Sequence, residues 1–261
     1  MINLSLLQSV PTVLVALVLF ILIIVFYLLG NHVRSRAVNK NPDLAKIDFG
    51  AINGMLLALL GLLLAFTFSM SNSRFDTRRQ LIIEEANTIG TVVLRTDIYP
   101  DSVRQLFRNN LKEYVEQRIA FYQVGMNVPR AVSHYLKADS IGKVVWSIAA
   151  SYAKADNITT RTSEMIPALN AMIDITTTRR AAGEANIPDP IMYFLFILCL
   201  GSAFLLGYEK PNKIDWIVVI GFGVMLSLTV YAIIDLDRPR SGLINMDTPH
   251  QKMVELRDMF K

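Results

Sequence analysis

Between Pro42 and Pro100 the chain contains no proline, and this interval holds residues 50–97, GAINGMLLALLGLLLAFTFSMSNSRFDTRRQLIIEEANTIGTVVLRTD. From Ala51 to Met70 the run is uncharged and apolar. That is long enough to cross a bilayer core of roughly 30 Å at about 1.5 Å per helical residue. It then passes into a charged amphipathic stretch with no breaker between the two halves. The pattern predicts one long helix that leaves the membrane and continues as the first helix of a polar segment.

Three further apolar runs accompany it. Residues 11–30 (PTVLVALVLFILIIVFYLLG) form the first predicted membrane helix, 50–71 the second, 190–208 the third and 214–234 the fourth. The first run is too long for the core of a secretory signal and has no charge before it, so it reads as a retained helix. Residues 31–48 carry Arg34, Arg36, Lys40, Lys46 and the turn signal Asn41-Pro42, and read as a short hydrophilic link. Glu209 to Lys213 makes the last two helices a tight hairpin, with Tyr208 and Trp216 as interfacial anchors. A hydrophobic fraction of 52% agrees with an integral membrane protein. The expected fold is therefore all-α: residues 1–73 and 190–235 supply four transmembrane helices. A large helical cytoplasmic domain, 74–189, is inserted between the second and third, and 236–261 is a tail. Four crossings put both termini and the large insertion on one side, and the Arg and Lys balance near the helix ends places that side in the cytoplasm.

The insertion reads as helical. Val103, Leu106, Phe107, Leu111, Tyr114, Val115 and Ile119 recur at three- and four-residue steps through 101–123, with Asp101 or Ser102 as candidate N-cap. Gly125 and Pro129 separate this helix from 130–155; Asp156 and Asn157 break the pattern, and 160–181 is helical again with Pro167 near its start. No strand-like alternation persists anywhere.

Several function classes find no support. The net charge of +4 is modest and the basic residues are dispersed, so no nucleic-acid partner is expected. Cys199 is the single cysteine, in an apolar run, which excludes a disulfide or thiolate metal site. His32, His134 and His250 are scattered, and no metalloprotease, nucleophile-elbow, phosphate-loop or dinucleotide motif is present. Neither an enzyme activity nor a cofactor is expected. Asn157-Ile-Thr159 matches a glycosylation sequon by chance on a cytoplasmic face.

Ala58, Leu62 and Phe66 stack along one stripe of the second helix, four residues apart. Eighteen residues make about five helical turns, so Glu84 points the same way as Phe66, with Ser73, Thr77 and Gln80 or Leu81 near that line. Placed round a symmetry axis, such helices form an apolar constriction opening into a polar vestibule, and apolar constrictions gate by dewetting. The alternative is that Leu62 and Phe66 pack on the other three helices of their own chain.

The run GLLLAFTFSMSNSRFDTRRQLIIEEANTIG resembles the second-helix signature of the bestrophin family, in which an apolar segment runs into Arg-Phe, a further Arg and a helix bearing a buried Asn. Here these are Leu62, Leu63, Leu64, Phe66, Arg74, Phe75, Arg78 and Asn87. It is more similar still to bacterial bestrophin-like membrane proteins through Ser73–Asp76, Glu84–Asn87 and Asp235–Pro239. The resemblance implies a homopentamer with a central pore lined by the second helix, in a bacterial inner membrane, conducting an inorganic ion passively. It places the pore neck at Ala58, Leu62 and Phe66, and departs from the family at Ala58, where a bulkier residue is usual. Ser73, Thr77, Glu84 and Asn87 become the vestibule, and Arg74, Arg78 and Arg79 an approach that concentrates anions. Bestrophins are mostly anion channels, although some bacterial members resemble cation channels, and the arginines tilt the expectation toward anions.

Glu84 and Glu85 either line the ion path or pair with Arg95, Arg118 or Arg179. Asp235 and Asp237 resemble the place where bestrophins hold calcium, but two carboxylates are too few for six to eight oxygen ligands. A helix stop with Asp237 paired to Arg238 or Arg240 is expected instead, and no metal. The rival reading from another class is a non-conducting, membrane-anchored interaction or signalling protein acting through its helical domain.

Overall fold

The computed structural model describes residues 10–125, 127–155, 159–209, 214–238 and 242–261. The sequon at Asn157, the hairpin turn Lys210 to Lys213, and the residues Pro239 and Arg240 lie outside them. Every regular element among the described residues is helical: α1 (Thr12–Lys40), a 3-10 turn (Pro42–Lys46), α2 (Gly50–Arg95), α3 (Asp101–Gln123), α4 (Val128–Ala155), α5 (Thr159–Glu184), α6 (Asp189–Glu209), α7 (Trp216–Asp237) and α8 (Asp247–Glu255), followed by a 3-10 turn (Leu256–Phe260). Four helices are long and apolar enough to cross a membrane. The chain divides into two compact units, residues 1–73 with 186–238, and 74–185 with 239–261.

In the first unit α1 packs on α6 and α7. Leu19 and Ile23 of α1, Leu195 and Cys199 of α6, and Val230 and Ile233 of α7 form its core. Two glycines set the distance between α1 and α6. A Cβ on Gly30 would collide with the Phe204 carbonyl, and one on Gly207 with the Tyr27 carbonyl. Small residues of this kind let helix backbones meet in lipid, where no hydrophobic force drives association. α1 runs ten residues past the expected Gly30, so the link read at 31–48 is half helix. Arg34 explains the extension. It is 1% exposed; its Nη2 donates to the carbonyls of Leu44 and Ile47 at 2.6 and 2.9 Å. The guanidinium lies 5.0 and 5.1 Å from the ring centres of Phe49 and Tyr208. Tyr208 thus belongs to a cation–π clip, while Trp216 is exposed as an anchor would be. At the far end of α7, Asp237 Oδ2 accepts from the Ile187 amide at 3.0 Å and Arg238 donates to the Val10 carbonyl at 2.7 Å.

The second unit is a bundle. Ile89 and Val93 of α2, Phe107 and Leu111 of α3, Val145 of α4 and Leu169 of α5 sit in one core with Met253 and Leu256 from the C-terminal residues. Residues read as a tail therefore close this core: α8 and the final turn pack on α3. The α3 N-cap position is Pro100, with no side-chain capping bond, rather than Asp101 or Ser102. Asp101 instead pairs with Arg104 at 2.7 Å, one turn on.

Glu85 is wholly buried, and its two oxygens accept from Arg118 of α3 and Arg179 of α5. Burial alone would raise its carboxyl; the two guanidinium groups more than offset this and hold it at about 2. Arg95, the third arginine considered for it, pairs with Glu164 at 3.0 Å.

Gly207→Ala should lower thermal stability by about 1–3 kcal/mol through overpacking against Tyr27, measured by helical circular dichroism in detergent, whereas Gly221→Ala, which meets nothing within 4 Å, should not. Arg118→Ala should cost about 3–5 kcal/mol by stranding a buried charge. Because the folded Glu85 carboxyl lies below its ordinary value of 4.5, its contribution is complete above that value and lost as pH falls toward 2. Unfolding followed across this window should be steeper in the wild type than in Glu85→Gln.

Candidate functional site

α2 is unbroken from Gly50 to Arg95, and its apolar half is the least buried of the four candidate spans. One side of it faces the rest of the chain. Asn53, Leu60, Thr67 and Ser71 are buried at seven- and four-residue steps, and Asn53 Nδ2 donates to Glu209 Oε2 at 2.6 Å. The opposite side is exposed among the described residues. Ala58 is exposed, Leu62 is 54% and Phe66 64% exposed, and no atom lies within 4 Å of where a Cβ on Gly54 or Gly61 would stand. Leu62 and Phe66 do not pack on the other helices of their own chain, which removes that alternative.

The part of α2 in the second unit keeps the same division. Arg78, Ile82, Glu85 and Ile89 are buried, while Thr77, Arg79, Gln80, Glu84 and Asn87 are exposed. Successive helical residues point about 100° apart, which separates Glu84 from Glu85: the first faces outward and the second enters the core. Ser73 is exposed in the first unit. Asn87, the position matched to the motif's buried Asn, is exposed in the single chain.

The three arginines do not act together. Arg79 is exposed and Arg74 half-buried, but Arg78 is buried, so its place in an ion-attracting approach is corrected. Its Nε donates to the Ala182 carbonyl at 3.0 Å and its Nη2 to that of Ala185. These are carbonyls at the C-terminal end of α5, where the helix leaves acceptors unpaired and its dipole favours a cation. An inward-facing arginine one turn from Arg74 is a signal the sequence contains, since Arg78 falls on the line of Ser71 and Glu85.

No cluster of three or more His, Cys, Asp or Glu that could hold a metal occurs among the described residues. Sequence reasoning passed over His250, which is buried and stacks on Tyr122 at 4.1 Å between ring centres.

The fold resembles crystal structures of bacterial bestrophin homologues from Klebsiella pneumoniae. One, a point mutant, is 14% identical with a TM-score of 0.68 over 94% of this chain and 98% of that one. Another is 15% identical with a TM-score of 0.66 over 92% and 98%. At such identity the likeness establishes the fold alone. No match was found among curated proteins. The family model described as the Bestrophin-like domain matches residues 12–248, and the chain belongs to that family.

Proposed function

We propose that the chain is the subunit of a passive ion channel, a homopentamer in a bacterial inner membrane with both termini in the cytoplasm, whose pore is lined by α2. The observation that carries this reading is the bare face of α2. Among the described residues of a single chain its apolar part is exposed at Ala58, Leu62 and Phe66, and it turns polar from Ser73 onward. A face that met only lipid would have no reason to carry Ala51, Gly54, Ala58, Gly61 and Ala65 at three- and four-residue steps. Small residues at that spacing suit close contact between helices in a membrane, here between copies. Leu62 and Phe66 then form the narrow neck, where apolar walls exclude water until they widen. Ala58 adds a wider ring above them. Ser73, Thr77, Glu84 and Asn87 line the vestibule.

The charge preference follows from what the bare face carries. An anion preference leaned on Arg74, Arg78 and Arg79 together, and Arg78 is committed to the end of α5. Arg79 is exposed but, five residues from Glu84, stands about 140° round the helix from it, and in a ring of copies each Glu84 is repeated about the axis. Rings of carboxylates favour cations, and this reading replaces the anion preference. The non-conducting alternative predicts a monomer or dimer in detergent.

Leu62→Ala with Phe66→Ala should raise ion flux from proteoliposomes above wild type, since the narrowest apolar ring is removed; unchanged flux would sink the neck assignment. In a planar bilayer with asymmetric potassium chloride the wild type should reverse toward the potassium potential. Glu84→Lys should move the reversal potential toward that of chloride, and no movement means that Glu84 does not face the ions.

A further inference from the structure

The second unit holds a cavity that ion conduction does not require. Its volume is about 530 Å³, inside the range of about 300–1,000 Å³ usual for small-molecule sites. Tyr122 and Gln123 from the end of α3 line it, with Asn245, Asp247, His250 and Gln251 from the start of α8. Gly125 and Gly242 also border it, with φ of 56° and 126°. A side chain would strain the backbone at either position.

His250 is the unusual member. It is 5% exposed, yet neither ring nitrogen has a hydrogen-bond partner among the described residues. Its orientation is fixed by stacking on Tyr122. The tyrosine cannot satisfy it: the Tyr122 hydroxyl already donates to Asp247 Oδ1 at 3.0 Å and accepts from the Met246 amide at 3.1 Å. Burial, and next the positive charge of Arg179, push the imidazole down to about 4, although Asp247 and Glu85 pull the other way. At neutral pH the ring is therefore uncharged and offers one bare nitrogen and one N–H. Buried polar groups are almost always paired, so an imidazole left with two empty positions beside a cavity points to a missing partner.

The chemistry of the walls narrows what that partner is. An anion would meet the Asp247 carboxylate. The helix start offers it little, because the Met246 amide is held by Tyr122, the Asp247 amide by Asn245 Oδ1 at 3.2 Å, and Pro249 has no N–H. A bare metal ion would find only one carboxylate and one imidazole, and no group of three such ligands exists among the described residues. Beside the His250 N–H and the carboxamide NH2 groups, the walls supply several acceptors: a carboxylate, a bare ring nitrogen and the carboxamide oxygens of Gln123 and Gln251. We propose that this cavity binds a small organic ammonium compound, whose N–H groups are shared between Asp247, His250 and a flanking carboxamide. The assignment stands apart from the channel reading, since it requires neither oligomerisation nor conduction.

The test uses the full chain in detergent, titrated calorimetrically with ethylammonium, ethanolamine and 1,4-diaminobutane chlorides at constant ionic strength. At least one should bind saturably, while tetramethylammonium, which has the charge and no N–H, should not. Asp247→Asn and His250→Phe should each weaken binding by about tenfold or more, the loss of a charge-assisted or buried hydrogen bond. Phe preserves the ring stacking on Tyr122. Should that variant fail to fold, the ¹⁵N resonances of the His250 ring in wild-type protein give the same answer, because the bare nitrogen must shift on binding. Absence of saturable binding by all three amines overturns the proposal. So does tetramethylammonium binding equally well, preference for phosphate or zinc, or an unmoved His250 resonance.

Discussion

An α-helix of 46 residues presents surface all the way round, and in this chain α2 has neighbours on one side only. Along that side the buried residues recur at sevens and fours, from Asn53 through Leu60, Thr67 and Ser71 to Arg78 and Glu85. Helices of such length owe their stability to an apolar face packed elsewhere rather than to intrinsic propensity. The opposite side is exposed among the described residues, and where it is apolar it must be covered by lipid or by another copy. The distribution of small and large side chains on that face, and its turn from apolar to polar, follow from whichever neighbour covers it.

Within the second unit the same helix brings in a charge. A carboxylate with no exposure is tolerable only when its oxygens are both satisfied, and Glu85 draws its donors from two different helices, α3 and α5. The triad therefore ties three elements at one point with directional bonds, whereas the apolar core around Leu111 and Leu169 could accommodate small slips. Arg118 also lies 5.2 Å from the ring centre of Phe121 and 5.9 Å from that of Tyr135, so the guanidinium's flat faces are covered as well as its N–H groups. Burial would by itself make Arg118 easier to deprotonate; Glu85 reverses this and keeps it charged.

The sequence makes some of these features legible and hides others. Four apolar runs and the proline-free passage through Ser73 announce the spans and the continuity of α2, because length and the absence of a breaker are local properties. The continuation of α1 to Lys40 is not local: His32, Arg34 and Arg36 look like a solvated link. Only the rings of Phe49 and Tyr208 and two carbonyls in the following turn make a buried Arg34 affordable. Periodicity did place Ala58, Leu62, Phe66 and Glu84 on a common side of α2. Glu85 was separable from Glu84 by the 100° step alone, but its partners come from helices whose packing no spacing reveals. Residues 247–260 are too short and too polar to read as part of a core, and they take their place through Met253 and Leu256.

Arginine placement decides how far composition misleads about function. The chain is net positive, and three arginines within nine residues of the end of the α2 apolar run at Met70 suggest a field for anions. Yet a guanidinium is also the side chain best suited to bind several carbonyls or a carboxylate at once. Arg34 holds two carbonyls, Arg78 two more at the end of α5, and Arg118 and Arg179 share Glu85. Glu85 offsets the charge of Arg118 and Arg179, while Arg34 and Arg78, held by carbonyl dipoles, keep theirs but are buried away from the exposed side of α2. At the α2 surface Asp76, Arg79 and Glu84 remain exposed. The charges that an exposed face displays are therefore those the fold has not drawn inside, and on α2 it has drawn in Arg78 and Glu85.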